Sequence, residues 1–383
     1  LPSSPSAGDI VALKDYANTW DTNAVTLCNN GSKINGVAQT ASLTTESQSV
    51  TLIYVDGTKG WQDIHDSTSN VTGTPSFIVA TGGNTVATCG DFKIHTFTSD
   101  GTFTIDTAPT PANNNVSYLV VAGGAGGGAN RSGGGGAGGF REGKTPATPY
   151  TASPLVAPAG LPVSVQAYPI TVGAGGVAGT FSPLSKGGSG ANSVFSTITS
   201  AGGGGGGTQN PSYNAGATGG SGGGGGAGNC GGAGNTPPVS PPQGNAGGNA
   251  PTPSTPPFNS AAGGGGATAA GQNAQPAVGG AGGAGASTEI SGSAVVRAGG
   301  GGAGGTGNGP DAGGAGGSGG GGQGGLNPGS GNSIPANQGT PGTVNTGGGG
   351  GGGAESPLGP AAASCSNGGT GGSGIVVIRY KFQ

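Results

Sequence analysis

Between Ala201 and Gly353 the chain places 61 glycines in 153 residues, in unbroken runs such as Gly202–Gly207, Gly222–Gly226, Gly299–Gly302, Gly319–Gly322 and Gly347–Gly353. Glycine loses more backbone freedom on folding than any other residue, so such a tract either stays a flexible linker or enters a structure open only to glycine. The spacing is irregular, with glycine-free segments such as Pro251–Phe258 between runs, which excludes collagen. Asp311 is the sole aspartate of the stretch, which excludes a calcium-binding β-helix. Two readings stay open. One is a disordered linker. The other is a bundle of polyglycine II helices, extended and threefold, rising about 3.1 Å per residue without internal hydrogen bonds. In such a bundle the sideways N–H and C=O groups are met by neighbours on several sides. A run of six or seven residues spans roughly 19 to 22 Å. Fixing each residue costs about 1–2 kcal/mol against about 0.5–1.5 kcal/mol per hydrogen bond, so the bundle must pack cooperatively. Turn-like punctuation, as in Gly307–Pro310 and Asn327–Gly329, favours the ordered reading.

The chain reads differently ahead of this tract. Residues 1–120 hold 10 of the 97 glycines and 14 of the 25 charges, with a net charge of −6. Short β-rich segments separated by Asn-Gly and Asp-Gly turns run through them: Ile10–Leu13, Ala24–Cys28, Val50–Val55, Trp61–Ile64, Phe77–Ala80, Asp91–Thr98, Gly101–Ile105 and Tyr118–Ala122. Tyr168–Val172 and Ser193–Thr199 are further candidates. The chain closes on Ile375–Phe382, with Val376, Ile378, Tyr380 and Phe382 on one face and Arg379 and Lys381 on the other. A strand so regular after the glycine tract is expected to pair with one formed before it. The expectation is an all-β chain: β-sandwich or roll modules, then a polyglycine II bundle capped by a C-terminal strand. The divisions are 1–75 for an N-terminal β module, 76–200 for a β-rich base with the first glycine runs, 201–372 for the bundle and 373–383 for the returning strand. The chain has no methionine and begins at Leu1, which implies a longer gene product.

Charged residues make up 7% of the chain and aromatics 5%, so it lacks the Lys/Arg clusters of a nucleic-acid surface, and no apolar run is long enough to cross a bilayer. Gly138–Thr145 satisfies the phosphate-loop pattern G-x-x-x-x-G-K-[ST]. The motif works only where a strand enters and a helix leaves, and Pro146 and Pro149 oppose that helix. His65 and His95 read as exposed strand positions. Asp56, Asp63 and Asp66 read as a solvated edge. No metal-ligand spacing and no catalytic constellation emerges, so neither an enzyme nor a cofactor is expected. Cys28, Cys89, Cys230 and Cys365 allow two disulfides in any of three pairings, or free thiols. Loops between glycine runs are where a rigid scaffold carries recognition. The contact candidates are Tyr213, Pro237, Pro242, Pro256, Phe258 and Asn337.

Several segments together carry a family likeness. Asn23–Thr26, Asn30-Gly31, Ile34–Gly36, Val50–Tyr54 and Gly60-Trp61 resemble a β module of tail-fibre-like proteins of tailed, especially marine, bacteriophages. Phe92–Phe97, Gly101–Phe103, Tyr118–Gly124, Gly138–Arg141 and Gly374–Tyr380 resemble the glycine-rich terminal domain of such fibres. The likeness implies an extracellular virion protein, a distal tail fibre or surface fibre, that presents loops on a polyglycine scaffold for host attachment. Its implied partners are a host-surface glycan or protein and other fibre or baseplate proteins, with a homotrimer if it forms a shaft. Nucleic acid and membrane insertion are not implied. The alternative is a purely structural extracellular filament or coat protein without receptor binding.

Overall fold

A computed structural model describes residues 1–67, 77–109, 114–209, 212, 215–250, 260–275, 278–305, 310–311, 313–328, 337–355 and 366–383. The described residues form no α-helix and several β-sheets. The chain divides into two compact units, Leu1–Thr74 and Pro75–Gln383.

In the first unit, Ile10–Lys14, Ser49–Asp56 and Gly60–Ser67 form an antiparallel sheet, and Val25–Leu27 pairs with Ala41–Leu43. Alternation in Ser49–Asp56 turns Val50 and Leu52 inward, onto a small core with Trp20, Leu27, Ile34, Leu43 and Trp61. The turn after this strand is capped by Asp56, whose Oδ1 accepts from Thr58 N (2.8 Å) and Lys59 N (2.6 Å).

The second unit is founded on two sheets. One runs in the order Val156–Ala157, Phe140–Gly143, Asn115–Val121, Ile375–Lys381, Phe92–Phe97 and Thr85–Cys89, with Leu161–Pro162 added beside Asn115 and Val116. The other runs Ile198–Ser200, Ser193–Phe195, Ala167–Thr171, Gly101–Thr107 and Val79–Thr81. The C-terminal strand does return to pair with earlier ones, lying between Asn115–Val121 and Phe92–Phe97. Phe97, Val120, Val376, Ile378 and Tyr380 from the first sheet meet Phe103, Ile105, Tyr168, Ile170 and Phe195 from the second in one core. The expected strand Ser193–Thr199 is a hairpin, because Ser196 with φ 53° reverses the chain.

The opposite face of the first sheet is buried as well. Leu119, Val121, Phe140, Ile375 and Val377 pack on Ile290 and on Ala267, Ala286 and Ala298. This is why Tyr118–Val121 and Ile375–Ile378 are apolar at every position rather than at every second one. It also corrects the polar-face reading of the last strand: Lys381 is exposed, but Arg379 is only 4% exposed. His95 is likewise buried. Its ring lies 2.7 Å from Gly82 O and 3.1 Å from Tyr380 Oη, against Phe103, where an exposed strand position was expected.

From this base the glycine runs leave and return. Run 132–139 lies at the centre, and its backbone bonds reach six others: 122–129, 201–208, 221–226, 260–267, 298–305 and 347–354. These six also bond to one another in a closed ring. All residues of these seven runs are buried. The direction of bonding rotates with every residue. In 122–129, Ala122, Ala125 and Gly128 donate to 132–139; Gly123, Gly126 and Ala129 to 185–191; Gly124 and Gly127 to 366–374. Around the seven lie eleven outer runs among the described residues: 173–179, 185–192, 215–220, 229–235, 243–250, 269–275, 278–285, 313–318, 320–325, 337–343 and 366–374. On several of them the exposed residue recurs at every third position, as in Ala174, Val177 and Thr180, or Cys230, Ala233 and Thr236. The runs 122–129, 132–139, 173–179 and 185–192 precede residue 201 yet belong to the same network.

Candidate functional site

The runs alternate between two ends. At the base end, Ala122, Gly139, Gly173, Asn192, Ala201 and Gly374 lie within one or two residues of sheet strands. At the far end, 122–129 turns into 132–139 through Asn130 and Arg131, both with positive φ (58° and 48°). Arg131 pairs there with Glu355 and its carbonyl accepts from Ala227 N, while Asn130 N donates to Ser366 O.

The far end also carries the turn between 173–179 and 185–192, which sequence reasoning did not single out. Thr180 N donates to Ser185 Oγ (2.9 Å), Thr180 Oγ1 to Pro183 O (2.8 Å) and Phe181 N to Asn367 Oδ1 (2.9 Å). Ser182 and Pro183 are exposed at its crest, with Phe181 and Leu184 half-buried. A short loop pinned at both ends loses little entropy when it meets a partner. Its one sequence signal was Ser-Pro between two glycine runs.

The predicted contact residues separate. Pro237 and Pro242 are exposed, but at the base end: their loop joins 229–235 to 243–250 beside Phe140 and Ala201. Asn235 Oδ1 accepts from Val239 N (3.1 Å) and Gln243 N (3.2 Å). Buried Gln243 donates to Pro237 O (2.9 Å) and accepts from Ala201 N (2.8 Å), so side-chain amides fix the loop's shape. Asn337 is buried, its amide donating to Glu355 O (3.4 Å), so its side chain braces the far end from within. Tyr213, Pro256 and Phe258 lie outside the described residues, as do the whole of Pro251–Phe258, residues 307–309 and the junction Gly329.

Gly138–Thr145 contains the paired strand Phe140–Gly143 and no helix follows it, so its N–H groups serve the sheet rather than a phosphate. Its Glu142 is buried, accepting from Ser153 N (2.9 Å) and Thr288 Oγ1 (2.5 Å). Nearby, Arg379 stacks over Phe92 and Tyr150 at 4.9 and 5.3 Å and reaches the carbonyls of Glu289, Ile290 and Pro149. Burial, reinforced by Glu142, pushes the Tyr150 phenol far above its usual range. This sealed cluster fastens 144–155 and 286–298 to the sheet. Sequence reasoning missed it, since a carboxylate and an arginine far apart in the chain give no local pattern. An open groove of about 430 Å³ is lined by Asn114, Leu161–Ser164, Gln166, Tyr168, Ser196 and Thr197, with no carboxylate. No group of three or more His, Cys, Asp or Glu side chains converges among the described residues. Cys28, Cys89 and Cys230 are free thiols, and Cys365 lies outside the described residues.

A β base with buried faces on both sides of one sheet, and glycine runs standing on it, defines an all-β, glycine-rich protein. Residues 97–381, about three quarters of the chain, match the family described as Glycine-rich domain, and the chain belongs to it. Comparison with curated proteins gives no match.

Proposed function

We propose that this protein is a phage virion fibre protein, a distal tail fibre or surface fibre, in which a rigid polyglycine II bundle presents loops for attachment to a host-surface glycan or protein. The observation that carries the threefold reading is the rotation of hydrogen bonding in 122–129, with a return to the same neighbour after three residues. A threefold extended helix points successive N–H groups 120° apart, so six neighbours saturate each inner run. The likeness of Phe92–Phe97, Tyr118–Gly124 and Gly374–Tyr380 to phage fibre domains supports the virion assignment.

Host reading belongs at the far end, on turns such as Thr180–Ser185, while the base joins other fibre or baseplate proteins. Weak single contacts suffice when several copies act together. The test is adsorption of purified protein to candidate host cells and its competition with phage infection. Replacing Phe181–Leu184 by a Gly-Ser turn is expected to abolish competition, and replacing Pro237–Pro242 to spare it. Absence of binding by folded protein to every permissive host would move the assignment to a purely structural filament or coat protein.

A further inference from the structure

The open groove in the second unit has a polar floor built by one short segment. Tyr168 keeps its ring in the core against Phe195 and brings its hydroxyl to the groove. That phenolic oxygen accepts from Ser164 N (2.9 Å) and from Gln166 Nε2 (2.8 Å). Gln166 Nε2 also donates to Ser164 Oγ (2.9 Å). Two accepted bonds occupy the lone pairs of the phenol, so its one proton is left over. The acceptors in reach among the described residues, Ser164 Oγ and Ser164 O, lie at 3.4 and 3.5 Å, beyond the usual range for an O–H donor. Beside it, Gln166 has committed both amide hydrogens and keeps Oε1 as an acceptor. Burial by itself raises the Tyr168 phenol, but the Ser164 and Gln166 donors outweigh it and hold the group below its usual range.

The remaining lining narrows the chemistry of a ligand. Ser196 and Thr197 are exposed at the crest of their hairpin, and Leu161 and Pro162 add apolar surface. None of the lining residues carries a charge, which favours a neutral ligand. The volume of about 430 Å³ is that of a small-molecule site. An O–H donor beside a carbonyl acceptor is matched by two neighbouring hydroxyls on one ligand, one accepting from Tyr168 and the other donating to Gln166. The apolar strip suits the C–H face of a ring. We propose that this groove binds a neutral saccharide through a vicinal diol, with Tyr168 and Gln166 as its contact residues.

The site is separate from the far-end turns and does not rest on the fibre reading. Ala167–Thr171 passes into run 173–179 at its C-terminal end, and Ile198–Ser200 passes into run 201–208 in the same way. Residues 164–168 and the Ser196–Thr197 crest therefore lie at the opposite ends of these strands, away from the glycine runs. The sole aromatic residue of the lining is Tyr168, whose ring is 7% exposed, so no ring face is offered for stacking and a single sugar binds weakly.

The test titrates isotope-labelled full chain with methyl α-D-mannopyranoside, methyl β-D-galactopyranoside and maltose, following backbone and side-chain amide resonances. Saturable shifts are expected at the Ser164 N–H and the Gln166 side-chain amide with at least one sugar, in about the millimolar range. Tyr168→Phe keeps the ring in the core and removes the donor, and is expected to weaken binding about tenfold, as is Gln166→Ala. Thr197→Trp, at the exposed crest, is expected to block the groove, and urea midpoints verify that each variant is folded. Absence of shifts at Ser164 and Gln166 with all three sugars at tens of millimolar would overturn the proposal, as would unchanged affinity in Tyr168→Phe and Gln166→Ala. Equal shifts with tetrahydropyran, the ring without hydroxyls, would reduce the groove to an apolar cleft. Equal shifts with glycerol would mean an adventitious additive only. Both results count against a saccharide site. Replacing Phe181–Leu184 by a Gly-Ser turn is expected to leave the sugar shifts unchanged, so failure of this site and failure of far-end host reading are read separately.

Discussion

Gly135→Ala puts one methyl group into the central run of the bundle, against backbone. A Cβ on Gly135 would sit 2.2 Å from Ala125 O and 2.8 Å from both Ala125 C and Gly126 O, all backbone atoms of the neighbouring run. Real Cβ contacts do not fall below about 3 Å, so 132–139 and 122–129 must part by about 1 Å or the chain must twist locally. Three hydrogen bonds hold these runs together: Ala122 to Gly139 (3.0 Å), Ala125 to Gly136 (2.9 Å) and Gly128 to Gly133 (3.1 Å). Stretching even two of them in a buried site costs about 1–3 kcal/mol each. Lower freedom of alanine in the unfolded chain returns about 0.4–1 kcal/mol. The net destabilisation is about 2–5 kcal/mol, a large share of the usual 5–15 kcal/mol, and lowers the melting temperature by about 5–10 °C. Gly188→Ala is the control, since its new Cβ meets chiefly the Cγ2 of exposed Val177, 2.8 Å away, which can rotate aside. It is expected to change stability by no more than about 1 kcal/mol. Urea and thermal unfolding of both variants decide the matter. Equal losses in the two would refute the claim that backbone contact on all sides dictates glycine here.

Three further outcomes are expected. Burial, with Lys93 adding to it, holds the His95 imidazole below its ordinary value of 6.5 despite the bond to Gly82, so the unfolded chain takes up that proton more readily. Stability is then complete above about pH 6.5 and declines as pH falls below it, and urea midpoints should show a slope that His95→Gln flattens. Burial pushes the Tyr380 phenol up to about 12 from 10.0, so its stabilisation is present below pH 10 and is lost as pH rises towards 12. Phenolate absorbance rising together with unfolding, rather than before it, is the expected signature. Gln243→Ala strands Ala201 N and releases Pro237, at a cost of about 1–3 kcal/mol, with amide exchange accelerated across 235–243 before the rest of the unit.

Much of the β base could be read from the chain because its signals are local. Val50 and Leu52 alternate with Ser49 and Thr51, Asn30-Gly31 and Asp56-Gly57 mark turns, and the C-terminal strand declares itself by its β-branched residues against the glycine before it. The glycine tract is readable one level further than composition. Unbroken glycine of five or more residues, as in Gly202–Gly207 and Gly347–Gly353, marks runs whose residues are all buried, because no Cβ fits there. A non-glycine residue at every third position, as in Lys186, Ser189 and Asn192, marks a run with one solvent face.

Other features depend on partners that no local pattern names. One glycine N–H is chemically the same as another, so the sequence cannot say that 132–139 sits at the centre. The loop of Pro237 and Pro242 belongs to the base end because of how many times the chain has crossed before reaching it. Arg379 and His95 occupy strand positions that suit solvent, and they are buried because the 286–298 segment and the second sheet arrive from elsewhere in the chain. Sequence by itself determined where backbone could approach backbone, since that depends only on the absence of a side chain. Tertiary structure decided which backbones meet, since that depends on the summed hydrogen bonding of all the runs at once.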